Sequence, residues 1–304
     1  MSSEDSRDAD DGSLPEGSAF EGSWLALREA VDHRSRAPEL LPPLVHTWRQ
    51  RGWSRIVDLG SGAGSNVRYL APRLPSPQSW VLVDHDPDLL EDAALPPEAS
   101  GAERVRGDLA DEGIRALRDV DFVTGAALLD LVSEAWLRRV VQACAERECG
   151  ALFTTIYDGT IAWAPTSAQG RDASTRPDAN RDRADDAFIR GLINAHQTRD
   201  KGLGPALGPR AALEAHDLFE AAGYRTWLVP SPWHLGVEDQ ELAMALLDGW
   251  AGAALEERPA AGHRTRRWVE RSRARIREGR WVLTVGHLDV LALPGSASPT
   301  TSGI

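Results

Sequence analysis

Residues 56–66 read Ile-Val-Asp-Leu-Gly-Ser-Gly-Ala-Gly-Ser-Asn, a short apolar run followed by three glycines at alternate positions. The apolar run predicts a buried strand, and the glycines predict a tight turn into a helix. Because glycine has no Cβ, the backbone of this turn can approach a ligand, which the N–H groups at the helix start would face. A dinucleotide-binding turn has the spacing G-x-G-x-x-G. Here the third glycine, Gly64, comes one residue early.

Asp58 precedes the first glycine of this turn by two residues, which gives the pattern D-x-G-x-G-x-G. This pattern resembles motif I of the class I S-adenosylmethionine-dependent methyltransferases. The resemblance covers about residues 50–158 and implies that the turn passes the ribose and methionine parts of the cofactor, with the acidic residue answering its amino end. A tight structural connection is the alternative. The cofactor residues expected in this segment are Asp58, Gly60, Ser61, Gly62, Gly64 and Asn66.

Strands and helices alternate along most of the chain, and this alternation predicts an α/β, Rossmann-like, doubly wound sheet with right-handed crossovers. The resemblance adds an antiparallel last strand beside the previous one, so the expected sheet is mostly parallel and seven-stranded. The predicted strands are residues 55–59, 80–83, 103–105, 121–124, 151–156, 224–229 and 280–293.

The domain organisation follows from the same pattern. We expect one methyltransferase domain over residues 21–293, with disordered polar tails at residues 1–20 and 294–304. By resemblance, leading helices within 21–52 would cover the cofactor or substrate mouth; ordinary packing helices are the alternative. The cofactor-binding core would be 53–158, the insertion or substrate loop 159–208, and the C-terminal half 209–293 with a helical insert at 237–278, as a lid or an interface.

Acidic residues follow the second and third predicted strands, at the sheet edge where α/β proteins bind ligands. Asp84 lies at the right distance past the glycine turn to accept hydrogen bonds from two ribose hydroxyls. Asp84 could instead cap the next helix, although Asp86 is better placed, and His85 is assigned to the cofactor with Asp84. The resemblance implies that Asp108 meets the adenine amino group and that Leu109 packs on the ring; a helix cap or turn is the alternative for Asp108.

The fourth predicted strand ends in small residues, and Gly125 would leave room for the methionine part of the cofactor. By resemblance, Asp130 lies where the family places substrate-facing residues; an Asp leading the next helix is the alternative. The Asn/Asp-Pro-Pro-aromatic motif of nucleic-acid amino methyltransferases is missing here, which disfavours a nucleic-acid base as substrate.

Residues 194–209 combine ionisable side chains with three glycines and two prolines. His196, with an ordinary pKa near 6.5, is the first candidate for a general base, and Asp130 and Asp158 are the second. Lys201, the single lysine of the chain, and Arg199 could place a carboxylate nucleophile. Gln197 is assigned to the substrate. A loop that only closes the insertion is the alternative. A similar His-Gln…Asp-Lys-Gly run occurs in bacterial methyltransferases.

Aromatic residues after the fifth and sixth predicted strands are candidates for the walls of a substrate pocket. Tyr157 and Trp163 follow the fifth strand, and Trp233 and His234 follow the sixth.

Composition narrows the classes of partner. The formal net charge is -12, which argues against a nucleic-acid or anionic-membrane surface. There is no long apolar run for a membrane span and no signal-peptide pattern, and no Cys/His spacing suggests a metal site. Cys144 and Cys149 are expected to be reduced structural thiols of a cytoplasmic protein.

The sequence therefore predicts an S-adenosylmethionine-dependent methyltransferase that acts on a small molecule and releases S-adenosylhomocysteine. The alternatives are a nicotinamide-dependent oxidoreductase and a relative that binds the cofactor without activity. The acceptor atom does not follow from these residues, and a homodimer stays open.

Overall fold

The computed structural model describes residues 22–166 and 179–295. The predicted tail at residues 1–20 and the predicted tail beyond residue 295 lie outside the described residues, as does the middle of the predicted insertion, 167–178. Eight strands form one sheet: β1 (Arg55–Leu59), β2 (Ser79–Asp84), β3 (Glu103–Arg106), β4 (Phe122–Ala126), β5 (Gly150–Pro165), β6 (Tyr224–Pro230), β7 (Trp233–Leu235) and β8 (Trp281–Pro294).

The strand order is β3-β2-β1-β4-β5-β8-β6. Strands β1 to β5 run parallel, and β8 lies antiparallel between β5 and β6. The central strands are apolar on both sides because helices cover both faces of the sheet, as β1 shows with four of its five residues buried. The Rossmann-like fold and the antiparallel position of the last strand are confirmed.

Two predictions about the sheet need correction. We predicted seven strands, and the structure has an eighth, β7, which pairs with the first half of β8. We also predicted that β5 ends before Tyr157, but it continues through residues 159–165, which we had assigned to the insertion. The reason is the length of β8. Its first half extends past the parallel sheet, and both edges of that half are available to pair with other strands. Strand β5 follows it through register shifts between Phe153 and Ile156 and between Tyr157 and Ile161.

Helices connect the strands and cover the sheet at the positions that the sequence predicted within a few residues. They are α1 (Gly22–Ser35), α2 (Leu41–Arg51), α3 (Ser65–Leu70), α4 (Pro87–Asp92), α5 (Ile114–Ala116), α6 (Glu134–Arg147), α7 (Ala179–Gln197), α8 (Ala211–Ala221), α9 (Gln240–Glu257) and α10 (Gly262–Glu278). Helix α6 begins after Ser133, whose hydroxyl accepts a hydrogen bond from the Trp136 N–H.

The hydrophobic residues form three cores. Helices α6 and α8 pack on one face of the parallel sheet, with Phe219 fully buried, and helices α2 and α3 pack on the other, with Trp48 buried. A third core lies where α1, α7, α9 and α10 pack on the antiparallel extension of β5, β8 and β7, around Trp268 and Leu283. This third layer stands over the carboxyl ends of the parallel strands, and so it bounds the ligand side of the sheet.

Cys144, in the last turn of α6, and Cys149, which follows it, are both free and buried, as predicted for structural thiols. Among the described residues, no helix is both long and apolar enough to cross a bilayer.

Candidate functional site

The glycine turn joins β1 to α3 at the carboxyl edge of the sheet. Gly60, Gly62 and Gly64 all have positive φ, at 64°, 48° and 79°, a region that residues with a Cβ adopt at a cost. The N–H groups of Gly60 and Ser61 donate to the Val83 carbonyl at 2.9 and 3.1 Å. These hydrogen bonds hold the turn against β2, and the opposite side of the turn is the side that a ligand could approach.

Asp84, at the end of β2, fixes the same turn. Its carboxylate accepts hydrogen bonds from the N–H of Gly62 at 2.7 Å and of Asp86 at 3.0 Å. Asp86 caps α4 by accepting from the N–H groups of Asp88 and Leu89. The cap role therefore belongs to Asp86, and Asp84, with two acceptor sites left on its oxygens, remains available for ribose.

His85 is half exposed, and its Nδ1 lies 3.2 Å from the Asp84 carboxylate. The imidazole therefore borders the predicted ribose position without entering the sheet core.

Asp58 lies in a buried polar network below the turn. The Asn66 amide donates to Asp58 Oδ1 at 2.6 Å and to Thr124 Oγ1 at 3.1 Å, and Arg36 Nη1 donates to Asn66 Oδ1 at 2.6 Å. Burial raises the pKa of Asp58 to about 7, against the opposing effects of the Asn66 hydrogen bond and the Arg36 charge. Asp58 Oδ2 and the hydroxyl of Ser61 are buried without a hydrogen-bond partner among the described residues.

Asp289 holds three segments of the chain together beside this network. Its carboxylate accepts from the N–H of Ala37 at 3.1 Å, the N–H of Thr155 at 2.8 Å and the hydroxyl of Ser231 at 2.6 Å. Thr155 has φ of 56°, which is unfavourable for a β-branched residue. Arg36 faces Asp58 and Asp289 together, and its Nε and Nη2 have no hydrogen bond to a described residue.

The adenine end of the predicted site lies after β3. Asp108 is exposed and caps the following turn by accepting from the Asp111 N–H at 2.7 Å. Leu109 is half-buried, and its carbonyl accepts the Trp136 indole N–H at 2.7 Å. The cap alternative for Asp108 is therefore realised, and its second oxygen is open for an adenine amino group.

Gly125 lies between neighbouring strands at the end of β4. A Cβ placed on it would lie 3.0 Å from the Leu59 carbonyl oxygen and 3.1 Å from Leu128. The position admits only glycine without a shift of the backbone, which keeps the turn and the β4 end close together.

Helix α1 covers the glycine turn from the outside. A Cβ on Gly62 would lie 3.3 Å from Leu25 of this helix. Glu29 receives hydrogen bonds from Arg68 Nε at 2.7 Å and Nη2 at 2.5 Å, and His33 Nε2 lies 3.0 Å from the Ser65 carbonyl. The leading helix α1 thus packs against the turn, and a role in covering a cofactor or substrate mouth stays a prediction.

Elsewhere at this end of the sheet, aromatic and charged side chains from distant segments come together. The Trp233 ring lies 4.7 Å from the His287 ring, which lies 6.3 Å from the Tyr157 ring, and Arg28 Cζ lies 5.2 Å from the Trp233 centroid. The charge of Arg28 acts on both His287 and Asp130. We name this group the Trp233 cluster, and its members are Arg28, Asp130, Tyr157, Lys201, Trp233 and His287.

Several atoms of the Trp233 cluster are buried without a partner among the described residues: Asp130 Oδ1, Trp233 Nε1 and His287 Nδ1. Burial raises the pKa of Asp130 to about 6, and it lowers the pKa of His287 to about 3, so this imidazole is neutral at physiological pH. Tyr157 Oη donates to Asn194 Oδ1 at 2.8 Å. The cluster therefore combines one carboxyl group, a neutral aromatic wall and unused hydrogen-bonding atoms.

Lys201 joins this group through its loop. The N–H of Leu207 donates to the Val132 carbonyl at 2.8 Å, and Ser133 and Ala206 form a β-bridge, which places the loop against the segment after Asp130. Burial lowers the pKa of Lys201, and the charges of Glu256, Arg199 and, most weakly, Asp130 act on it; Lys201 and Asp130 form no ion pair.

Other predicted residues have different surroundings. His196 Nε2 lies 2.9 Å from a carboxylate oxygen of Glu256, and Arg199 pairs with Glu256 and Glu257, so both face α9. Gln197 ends α7, where its backbone lies against Gly208. None of these three contacts a member of the Trp233 cluster through a hydrogen bond among the described residues.

Three further predicted residues lie on the β5–β8 extension. Asp158 is half-buried over Gly286, on the opposite face from Tyr157, and accepts from the Thr160 N–H at 2.8 Å. Trp163 belongs to the third core, with Arg275 5.4 Å from its ring. His234 is exposed and bonds Thr284, so it points away from its neighbour Trp233.

Sequence reasoning did not single out Arg28, Arg36, Asn194 or Asp289 for the site, and it interpreted His287 as a structural residue. The arginines lie in or after an unremarkable leading helix, and no local pattern distinguishes them. His287 and Asp289 interrupt an otherwise apolar last strand, and this interruption was the available signal.

The fold is similar to that of solved structures with low sequence identity. A cyclopropane-fatty-acyl-phospholipid synthase-like protein from Lactobacillus casei ATCC 334 is 13% identical, with a TM-score of 0.53 over 92% of this chain and 95% of that chain. S-adenosylmethionine-dependent methyltransferases from Geobacter sulfurreducens and Thiobacillus denitrificans, both in complex with S-adenosylhomocysteine, are 13% and 15% identical. Their TM-scores are 0.41 and 0.38, each over 90% of this chain and 99% of that chain.

No family model and no curated protein sequence matches the chain. The likeness to the Lactobacillus casei protein shows a shared fold. This is the Rossmann-like fold that the resemblance to class I S-adenosylmethionine-dependent methyltransferases implied.

Proposed function

We propose that this chain is an S-adenosylmethionine-dependent methyltransferase that acts on a small molecule and releases S-adenosylhomocysteine. The observation that supports it best is the pair of unpartnered buried atoms at the glycine turn, Asp58 Oδ2 and Ser61 Oγ. Buried polar atoms are normally hydrogen-bonded. A ligand with an amino group and hydroxyls, held against this turn, would complete both, so the residues present fit the cofactor.

In this proposal, each residue at the sheet edge contacts a different part of the cofactor. Asp84 accepts from the ribose hydroxyls, and Asp108 accepts from the adenine amino group while Leu109 packs on the ring. Asp58 faces the amino end, and Gly125 leaves room for the methionine chain. When bound, S-adenosylmethionine supplies a methyl group already activated by a positively charged sulfur.

The chain's own work is then to orient the acceptor, to exclude water and to take up a proton. Asp130 is the best-placed proton acceptor, because its pKa near 6 leaves most of it ionised at neutral pH and close to the useful range. His196, our first candidate from the sequence, is engaged by Glu256. We therefore assign the role of proton acceptor to Asp130 and not to His196. Helix α1 excludes water from the turn.

The small-molecule assignment rests on charge and on enclosure. A net charge of -12 disfavours nucleic acid, and the third core closes over the strand ends. A homodimer and a cytoplasmic location stay predictions.

Calorimetry of S-adenosylhomocysteine against the wild type and two variants tests the proposal. We expect micromolar binding to the wild type and about 100-fold weaker binding to Asp84→Ala, because charge-assisted hydrogen bonds are lost. Asp86→Ala is the matched control, since it removes a neighbouring carboxylate that only caps α4, and it should bind as the wild type does.

Three outcomes would contradict the proposal in different ways. No binding to the wild type, together with a fluorescence response to NADH, would favour the oxidoreductase. Equal binding by Asp84→Ala would remove Asp84 from the site. Tight binding without turnover on any acceptor would identify a relative that keeps only the cofactor site.

A further inference from the structure

Asp130 is the starting point for the acceptor's chemistry. It is 7% exposed, and its Oδ1 has no hydrogen-bond partner among the residues described. A buried carboxylate oxygen without a partner is costly, and it is stabilised by a cation or by donors from a ligand. Since Asp130 follows the end of β4, where the acceptor must reach the cofactor's methyl group, this oxygen points to an acceptor that carries a positive or proton-donating group.

Two cationic side chains stand near Asp130 without pairing with it. Arg28 donates hydrogen bonds from Nε and Nη2 to the Asp32 carboxylate, at 2.8 and 3.3 Å. Its Nη1 forms no hydrogen bond with the described residues. Lys201 forms no hydrogen bond or ion pair within the described part of the chain, and the charges that act on it are, in decreasing order, those of Glu256, Arg199 and Asp130. An unused N–H of Arg28 and the ammonium group of Lys201, which stand apart from the unpartnered oxygen of Asp130, match a ligand that carries both charges.

The loop that carries Lys201 is fixed, so the lysine's position is defined. Asp200 Oδ1 accepts from the N–H groups of Gly202 at 2.8 Å and Gly204 at 3.0 Å. Gly204, with φ of 85°, lies against Ser133, where a Cβ would be 3.4 Å from the Ser133 Cβ. The ammonium group is therefore presented from a held turn beside the Asp130 segment.

The remaining members of the Trp233 cluster form an uncharged wall. Trp233 and Tyr157 are buried, and His287 is neutral because burial and the Arg28 charge lower its pKa to about 3. Trp233 Nε1 and His287 Nδ1 are free to bond a polar atom. Such a wall fits a flat side chain and adds no net charge of its own.

We propose that the Trp233 cluster binds an amino-acid zwitterion as the methyl acceptor, an inference that rests on the proposed function. Asp130 binds the amino group, Lys201 and the free Nη1 of Arg28 bind the carboxylate, and Trp233, Tyr157 and His287 contact a flat or aromatic side chain. An amine without a carboxylate leaves Lys201 unpaired, and an acid without an amine leaves Asp130 unpaired.

The reaction that follows from this placement is methylation of the amino nitrogen. The nitrogen's proton passes to Asp130, and its lone pair forms the new N–CH3 bond. The S–CH3 bond of S-adenosylmethionine breaks. Its electron pair stays on the sulfur, which becomes the uncharged thioether of S-adenosylhomocysteine. Asp130 then releases the proton to solvent, so that no oxidant or further reactant is needed.

Calorimetry on the full chain saturated with S-adenosylhomocysteine tests acceptor binding without turnover. The probes are L-phenylalanine, L-tyrosine, L-tryptophan and L-histidine, each with its decarboxylated amine and its deaminated acid. We expect at least one amino acid to bind tenfold or more tightly than both of its matched analogues.

Variants of Lys201 give a readout that a structural role would not move. In Lys201→Met, the affinity for the amino acid that binds the wild type best should fall about tenfold, to the level of its decarboxylated amine. The affinity for the amine itself should not change. Lys201→Arg should keep the preference for the amino acid. Arg49→Met, which removes an exposed cation on α2, is the control for loss of charge and should change neither.

Turnover then identifies the methylated atom. With the methyl group of S-adenosylmethionine deuterated, mass spectrometry should place the label on the amino nitrogen. If no amino acid of the panel binds better than its analogues, or if the label is found on oxygen or carbon, the inference fails while the proposed function stands. If S-adenosylhomocysteine does not bind to the wild type, the proposed function itself fails.

Discussion

The proposed site has a cofactor side and an acceptor side, and these differ in how far apart their residues lie in the chain. On the cofactor side, the glycine turn, Asp84, Asp108 and Gly125 follow one another at consecutive strand ends. On the acceptor side, the Trp233 cluster draws on α1, the segment after β4, β5, the Lys201 loop, β7 and β8. A site built from neighbouring strand ends is fixed as soon as the parallel sheet forms. A site built from distant segments depends on how those segments dock.

The docking of the acceptor side relies on a few buried polar residues. Asp289 joins the segment after α1, the irregular part of β5 and the turn before β7. The cofactor turn instead relies on backbone conformation and on the carboxylates at the strand ends. The two sides should therefore fail in different ways, with a loss of stability on the acceptor side and a loss of ligand affinity on the cofactor side.

The largest effect is expected from Asp289→Ala. Three buried donors lose their acceptor at about 1 kcal/mol or more each, so the free energy of unfolding should fall by about 3 kcal/mol. Urea unfolding, followed by the fluorescence of the eleven tryptophans, measures this. Asp121→Ala is the comparison, because Asp121 also accepts two backbone N–H groups, of Ser54 and Arg55, but in a more exposed place. We expect a loss of about 1 kcal/mol there, and equal losses would contradict the special role of Asp289.

Asp58 should make stability depend on pH in a way that Asp58→Asn removes. The folded-state pKa of Asp58 is raised from 3.8 to about 7, so between these values the folded protein holds the proton more tightly than the unfolded chain. Stability from this group is present at low pH and is lost as the pH rises towards 7 and above. Relative to Asp58→Asn, the wild type should lose about 2 kcal/mol between pH 5 and pH 8.

Urea unfolding of both proteins at the two pH values measures this difference. Comparison with the variant cancels the titration of the other groups, including Asp130. A difference between wild type and variant that does not change with pH would mean that Asp58 is not protonated in the folded protein at pH 5.

Gly62→Ala should act on the cofactor side, with a smaller effect. At φ of 48° an added Cβ costs about 1 kcal/mol, and it would press on Leu25 of α1 at 3.3 Å. The affinity for S-adenosylhomocysteine should therefore fall by about tenfold. Gly52→Ala is the matched control, since its φ is 65° and an added Cβ meets nothing within 4 Å. The control should lose similar stability and keep its affinity, and a loss of affinity in both would point to a general effect of strain.

The sequence by itself predicted the residues of the proposed cofactor side. Residues 56–66 predict a buried strand, a glycine turn and the start of a helix. Each of these signals is local, because an apolar run and a glycine with positive φ can be recognised without a distant partner. The same reasoning placed Asp84 at the end of β2 and left the cap role to Asp86. It also predicted the doubly wound, mostly parallel sheet, since short crossovers between parallel strands leave few other topologies.

Only the tertiary structure brings together the residues of the proposed acceptor side. That β5 and β8 extend past the parallel sheet and pair there could not be read from either strand alone, because pairing depends on register with a distant partner. That Arg28 lies over Trp233, that His287 is neutral, and that His196 faces Glu256 follow from which helices pack on that extension. Burial sets the protonation of Asp130 and of His287, and burial is a property of the assembled fold.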